Sequence, residues 1–347
     1  MNNARKRSNL KVVTKALVTK ITTDQRSKQA TGVEFVTQNR RFQVRARQEV
    51  VISAGAINTP QLLILSGIGP REHLKEMKIP LIVDLPVGQN LIEHPLLNLI
   101  FRTNYTEPNA TLENLVERYL NGLGPLTKGG SADGTGFIHT KNNSQVPSIQ
   151  IAFAPPNDID PSISRRSLNY NNTISETFLK NIKPESEILI YVMLLHEKSR
   201  GRILLNSNNP IDFPKIDLNM FEEQEDVDTL VEGVEYTLSL LETDAFKKIN
   251  ATLLQVPICT NFRRTKQQLK CVIRNMAATV FHPCGTAAMG PDPRKFVVDD
   301  ALRVHGFKNL RVVDASIFPW SVSGNLNAPT VMVAEKAADI IKTKLGY

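Results

Sequence analysis

The sequence predicts an α/β unit and an α+β unit within one chain of 347 residues. Three observations carry that expectation. An apolar run at residues 50–53 leads through a glycine into a short apolar helix pattern, a compact βα unit. The middle of the chain holds short β-branched runs between Asn-Pro, Gly-rich and polar turns, which reads as an antiparallel sheet with helices on one side. The last residues, 329–345, have helical periodicity.

Taken in order, residues 9–23 are strand material, with Val12, Val13, Leu17, Val18 and Ile21 partly alternating. Residues 31–35 and 41–44 continue it. Residues 50–53 are nearly all apolar, so this strand is expected to be buried on both faces. Thr59 suits an N-cap and Pro60 a first helical position, giving a helix over 61–66 that stops at Gly67. A Gly-, Pro- and Asn-rich loop spans 86–95. A helix over 112–120 precedes a Gly-rich turn over 122–136. Strand-like pieces follow at 148–153, 187–194 and 201–205. Residues 227–241 are helical with an acidic first turn, 291–313 are loop and short strand, and the final helix carries an apolar stripe of Val331, Ala334, Ala338 and Ile341.

Composition excludes several classes. With 41% apolar and 22% charged residues the chain is globular, neither fibrous nor disordered. Its apolar runs are too short to cross a bilayer. The net charge of +8 comes from scattered residues, with Arg5-Lys6-Arg7 the densest cluster and no interleaved aromatics. It reads as a solvated basic surface, with no nucleic-acid partner. The three cysteines, Cys259, Cys271 and Cys284, contain no Cys-x-x-Cys pair, so no metal site is expected. Cys259 and Cys271 flank a short polar segment and are placed to pair in an oxidising compartment. Sequons at Asn104, Asn109, Asn142, Asn171 and Asn250 favour secretion weakly in so Asn-rich a chain. Residues 1–7 are polar and basic and do not form a signal peptide. The protein is therefore either cytosolic, or extracellular with a secretory start outside this sequence.

Three segments hold the candidate chemistry: residues 55–69, beginning Gly55-Ala56-Ile57-Asn58-Thr59-Pro60; Phe281-His282-Pro283-Cys284-Gly285-Thr286; and Asn309-Leu310-Arg311-Val312-Val313-Asp314-Ala315-Ser316, running on to Gly324-Asn325-Leu326-Asn327-Ala328-Pro329-Thr330. His282 precedes Pro283, which biases it to an extended conformation. An imidazole on such a loop can serve as a base near neutral pH. Taken alone it reads more readily as a surface or core histidine with a satisfied hydrogen bond. Asn327 resembles an N-cap. The helix start there offers free N–H groups to developing negative charge, or is plain capping. Asn325 alone is a turn residue, and Asp314 alone pairs a cation, caps a turn or binds a polyol.

Together these segments resemble the glucose–methanol–choline (GMC) oxidoreductase family. Val87-Gly88-Gln89-Asn90-Leu91 and Ser199-Arg200-Gly201-Arg202-Ile203 are similar as well, and the style is nearest the insect glucose-dehydrogenase-like members. The resemblance runs from about Asn9 to the end. It implies FAD and the oxidation of a small-molecule alcohol. His282 matches the base that takes the hydroxyl proton, and Asn325 the residue that orients the alcohol, while hydride leaves for the flavin N5. Asp314 and Ala315 match residues beside the ribityl and phosphate of FAD, and Val18 one whose backbone meets the adenine. Asn327 and Thr330 mark the helix start beside flavin N1. Gly55 is read as allowing close backbone approach. The fold implied is a partial FAD-binding Rossmann-like domain plus a substrate domain. Residues 1–95 are a remnant of the FAD-binding domain, 96–275 the substrate-binding domain, and 276–347 the carboxy-terminal part of the FAD-binding domain with the active site.

The sequence departs from the family in lacking a Gly-x-Gly-x-x-Gly turn to hold the FAD diphosphate. Gly67-Ile68-Gly69 runs into Pro70 and does not match. The chain is therefore expected to be amino-terminally truncated, a fragment that alone folds weakly and retains little FAD. Glu93 stands where the family usually has aspartate before His94. Ala287 and Ala288 replace the more usual Cys and Lys. Three other readings remain: an inactive truncated paralogue serving as a binding or structural protein, a flavin-bearing lyase, and a Cys284 nucleophile with His282. The substrate (sugar, sterol or aliphatic alcohol) and the electron acceptor, oxygen or a quinone-like carrier, are not legible.

Overall fold

The computed structural model describes residues 6–105, 111–127, 133–140, 145–155, 170, 174, 182–256, 258, 259, 265–344 and 346. The chain opens with an antiparallel meander of β1 (Leu17–Asp24), β2 (Gln29–Thr37) and β3 (Arg40–Arg45). β4 (Val50–Ile52) then pairs in parallel with β13 (Leu310–Val312), Val50 opposite Leu310. This ribbon has one covered face. Val50 and Ile52 are buried, whereas Val51 points the other way and is 42% exposed. The expectation of burial on both faces is corrected accordingly, because successive side chains alternate across a strand.

Helix α1 (Gly55–Leu65) starts five residues before Pro60, the first helical position its cap signals predict. Thr59 and Pro60 lie inside it. Thr59 does not cap the helix: its hydroxyl accepts from Ala54 N–H at 3.2 Å and donates to Asp314 Oδ2 at 2.6 Å. Pro60 has no N–H to give the Ala56 carbonyl one turn back. That carbonyl instead accepts from Thr286 Oγ1 at 2.7 Å, so tertiary structure replaces the missing helical bond. The predicted stop at Gly67 is present. Gly67 has φ +82°, with Gly67 N–H on Ile64 O and Ile68 N–H on Leu63 O, a Schellman closure. The short helix α2 (Arg71–Glu76) follows.

The large sheet is antiparallel and runs β11-β5-β8-β7-β6, with β12 also on β5. Its strands are β5 (Pro95–Arg102), β6 (Gly134–Ile138), β7 (Ile149–Ala154), β8 (Glu187–Leu194), β11 (Thr252–Leu253) and β12 (Ala278–Thr279). Helices α4 (Gln224–Ser239) and α6 (Lys266–Met276) cover one face. Val227, Leu230 and Val234 pack there with Leu269, Val272 and Ile273 on the strands. α3 (Leu112–Leu120) matches its predicted span, with no buried residue. Residues 201–205 do not join this sheet. β9 (Arg202–Leu204) forms a separate ribbon with β10 (Lys215–Asp217), because its Ile203 N–H is taken by Gly88 O.

Two further helices among the described residues are α5 (Asp244–Lys248) and α7 (Asn327–Lys344). In α7 the buried positions are Val333 and Ala337, not the predicted stripe, and Val331 is 55% exposed. The two buried residues are one turn apart and face the core; the predicted set lies round the cylinder from them. Cys259 and Cys271 are joined by a disulfide, tying α6 to the segment after β11. Two main hydrophobic clusters result. One draws on residues 21–92, 205 and 284–337, the other on residues 97–276. The sequons at Asn109, Asn142 and Asn171, part of the Gly-rich turn, and residues 1–5 lie outside the described residues.

α4 approaches β7 so closely that a Cβ on Gly233 would lie 2.9–3.0 Å from the Ile149 side chain. Gly233→Val is expected to destabilise the protein by about 1–3 kcal/mol, as for overpacking of a filled core. Denaturant unfolding measures this. An unchanged or raised midpoint contradicts the packing described.

Candidate active site

His282 sits on a loop held from two sides. On one side Ile92 and Cys284 exchange both backbone hydrogen bonds, at 3.0 and 2.9 Å. On the other, Gly285 N–H donates to Ala315 O at 3.2 Å and Ala287 N–H to Ser316 O at 2.8 Å. Gly285 is required where it stands. Its φ is +84°, and a Cβ would lie 2.4 Å from Asn90 O. The His282 N–H donates to Glu93 Oε1 at 2.9 Å. The ring is half-buried, and its Nδ1 is buried with no hydrogen-bond partner in the protein.

Behind it lies a buried ionisable group. Glu93, His94 and Glu197 are 6%, 2% and 4% exposed. His94 Nδ1 is 3.2 Å from Glu197 Oε2, and the His94 ring meets the His282 ring edge-on, with centroids 5.7 Å apart. Burial raises the Glu93 and Glu197 carboxyls above their ordinary value. The His282 N–H opposes this for Glu93, and the bond from His94 opposes it for Glu197. Burial, and then the charge of His94, lowers His282. The site thus keeps the His282 imidazole neutral at neutral pH, with a lone pair to offer.

Asn90 joins the His282 loop to the approach to α7. Its Nδ2 donates to Gly285 O at 3.3 Å and to Pro319 O at 3.4 Å, while its Oδ1 accepts from Arg200 Nε at 3.1 Å. Farther along that approach, Ser323 Oγ is 2.9 Å from His196 Nε2, beside Glu197. Asn325 follows two residues later with its side chain exposed. Asn327 is the first helical residue of α7, not its cap, and Thr330 Oγ1 donates back to Leu326 O at 2.7 Å.

A second group surrounds Asp314. Its Oδ2 accepts from Gly55 N–H at 2.8 Å and from Thr59. Its Oδ1 accepts from Ser316 N–H at 2.8 Å and from the Ser316 hydroxyl, capping the 3-10 turn Ala315–Ile317. The carboxylate is therefore filled by protein donors and acts as a brace. Gly55 has φ +81°, and a Cβ there would meet nothing within 4 Å. Its close approach is thus to open space beside the first turn of α1, not to another protein group. Hydrogen bonds join Gly55, Asp314, Ala315 and the His282 loop. Val18, 37% exposed on β1 opposite Phe35, makes no hydrogen bond to this group.

Sequence reasoning missed Glu93, His94, Glu197, Asn90 and Arg200 as working parts. A signal existed for each. They lie in or beside the two segments 87–91 and 199–203, where polar residues interrupt apolar runs. The Glu93-for-aspartate difference falls on the very carboxylate that holds His282.

Family models of the GMC oxidoreductase match residues 1–96 and 197–334. The chain is 36% identical to an alcohol dehydrogenase (acceptor) of Pseudomonas putida over 351 residues, 98% of this chain and 59% of that protein. It is 36% identical to an ecdysone oxidase of Bombyx mori over 366 residues, 99% of this chain and 51% of that one. An FAD-dependent oxidoreductase structure from Chaetomium thermophilum superposes with a TM-score of 0.77 at 25% identity, covering 99% of this chain and 63% of that one. The chain belongs to the GMC oxidoreductase family and spans 51–59% of the length of these two curated relatives.

The residues present fit the reactive end of the flavin nucleotide such a family implies. His282 Nδ1 lacks a protein partner, Gly55 leaves room at a helix start, and the start of α7 is exposed.

Because Glu93 and Glu197 bind protons more tightly folded than unfolded, their contribution to stability is present below the ordinary carboxyl value of 4.5 and falls as pH rises above it. A Glu93→Gln/Glu197→Gln variant should therefore gain stability relative to the parent as pH rises from 4.5 toward neutrality. Unfolding midpoints across that window check the sign. A parent that gains on the variant contradicts it.

Proposed function

We propose that the whole protein is an FAD-dependent oxidoreductase acting on the CH–OH group of an alcohol. One observation carries this reading: Asn90 ties a loop bearing an imidazole whose buried Nδ1 has no protein partner to the approach to α7. Bound FAD supplies a hydride acceptor at N5. The chain supplies the rest. His282 takes the hydroxyl proton, without which the carbon-bound hydrogen does not leave readily as hydride. Asn325 donates its amide N–H to the same oxygen and fixes the alcohol's orientation. The N-terminal turn of α7, at Asn327 and Thr330, favours negative charge developing at the acceptor. Asp314 holds α1, and with it Gly55, against Ala315. Val18 is read as an adenine contact through its backbone. Glu93 anchors the His282 backbone, and the Glu197–His94 pair sets its electrostatic surroundings.

The domain reading keeps residues 1–95 and 276–347 as parts of the flavin-binding domain and 96–275 as the substrate domain. In support, the main apolar clusters divide at about these limits. On the large sheet Leu96, Ala152 and Met193 pack together with Tyr191 and with Val280, two residues before His282. Such a wall favours an alcohol with an apolar body. The alcohol dehydrogenase and ecdysone oxidase relatives are in keeping with it, and a glucose-dehydrogenase-like sugar substrate is less so. Oxygen or a quinone-like carrier is the proposed electron acceptor. A disulfide supports an oxidising, extracellular location. No helix among the described residues is long and apolar enough to cross a membrane. No observation on the molecule favours an inactive binding protein.

His282→Ala in the whole flavoprotein should slow flavin reduction by an alcohol about 10²–10⁴-fold, as for loss of a general base. Stopped-flow absorbance of the flavin checks this, and a rate within threefold of the parent's, on the order of experimental scatter, removes His282 from the mechanism.

The pH dependence has a defined sign. His282 is lowered below the 6.5 of an ordinary imidazole, so the base form persists into mildly acid solution. The reduction rate should be level above 6.5 and fall only at lower pH. A rate still climbing steeply above neutrality contradicts a desolvated His282 base.

A further inference from the structure

Two sequon asparagines separated by more than a hundred residues, Asn104 of Asn104-Tyr105-Thr106 and Asn250 of Asn250-Ala251-Thr252, meet at one corner of the fold. The Asn104 N–H donates to Ile249 O at 2.9 Å, so the two asparagines lie one hydrogen bond and one residue apart. Both are exposed. Asn250 follows α5 with φ +49°. Its N–H donates to Lys247 O and that of Ala251 to Phe246 O, each at 3.0 Å. These inward bonds leave the Asn250 carboxamide in solvent. Thr252 is also exposed, at the start of β11, the edge strand of the large sheet.

We propose that Asn250 carries an N-linked oligosaccharide and that Asn104 is a second acceptor at the same corner. The donor class is a polyprenyl-diphosphate-linked oligosaccharide. A bond forms between Asn250 Nδ2 and the sugar's anomeric carbon. The bond from that carbon to the diphosphate oxygen breaks, the polyprenyl diphosphate leaves, and the amide gives up one proton to solvent. The motif has what this transfer reads: a carboxamide, a residue other than proline, and a hydroxyl two positions on.

A structural explanation of Asn250 exists, since asparagine tolerates the left-handed conformation that ends a helix. It accounts for Asn250 alone. It does not account for an exposed threonine two residues later, or for a second exposed sequon asparagine beside it. The Cys259–Cys271 disulfide is independent of both sequons and belongs to the kind of compartment in which such sugars are attached. The corner packs into the cluster of residues 97–276 through Phe246 and Leu253, not into the loops that hold His282. A glycan there would shield the edge of β11 that pairs with no strand among the described residues, and leave the proposed reaction untouched. The inference therefore stands or falls separately from the oxidoreductase reading.

The test is peptide mass spectrometry on the whole protein recovered from its natural source, treated with peptide-N-glycosidase in heavy-oxygen water. Asn250 is expected to appear as labelled aspartate. A peptide in which Asn250 is only unmodified asparagine overturns the proposal. A second arm uses the whole protein secreted from a eukaryotic host. Thr252→Val keeps a β-branched residue on the edge strand, and Asn250→Gly suits the positive φ. Each should lose the same single glycan step of mass while keeping the parent's unfolding midpoint. Retention of the full mass by either variant overturns it equally.

Discussion

The arrangement depends on one buried carboxylate. Asp314 ends the short parallel pairing of β13 with β4 and receives hydrogen bonds from Gly55, Thr59 and Ser316. A buried charge is tolerable only when its lone pairs are filled, and here donors from segments more than 250 residues apart in sequence do so. The brace fixes where α1 begins and how the turn after β13 is shaped. That turn in turn offers Ala315 O and Ser316 O to the loop carrying His282. A three-residue parallel ribbon would specify this geometry poorly by itself; the carboxylate gives it a single register.

Behind the imidazole, the same logic operates with a different result. Two carboxyl groups and a histidine are withdrawn from water without enough donors to satisfy them, and Glu197 Oε1 has no partner. Desolvation then dominates, pushing the Glu93 and Glu197 carboxyls up and the His282 imidazole down. Asp314 and the Glu93–His94–Glu197 group thus divide two tasks. The first is a satisfied charge that holds structure. The second is an under-satisfied group whose His94 charge adds to burial in biasing His282 toward its neutral form.

Much of the fold was legible because it rests on local rules. The Schellman stop at Gly67, the span of α3 and the antiparallel middle sheet follow from glycine and alternation patterns. The errors arose where tertiary contacts override local signals. Thr59-Pro60 looks like a helix start because nothing in the sequence announces that Thr286 will supply the donor Pro60 lacks. Asn327 looks like a cap for a similar reason, and the stripe on α7 was displaced because its burial depends on packing against a distant core. His282 and Asn325 were identifiable only through motif resemblance. Glu93, His94 and Glu197 were visible as residues but not as a group, since 103 positions separate His94 from Glu197.

In the proposed reaction His282 and Asn325 address one substrate oxygen. The most direct measurement is a crystal structure of the whole flavoprotein with a bound alcohol analogue that cannot be oxidised. Its hydroxyl oxygen is expected within hydrogen-bond distance of both the His282 imidazole and the Asn325 carboxamide. A hydroxyl bound elsewhere, or the two side chains facing separate cavities, would contradict it.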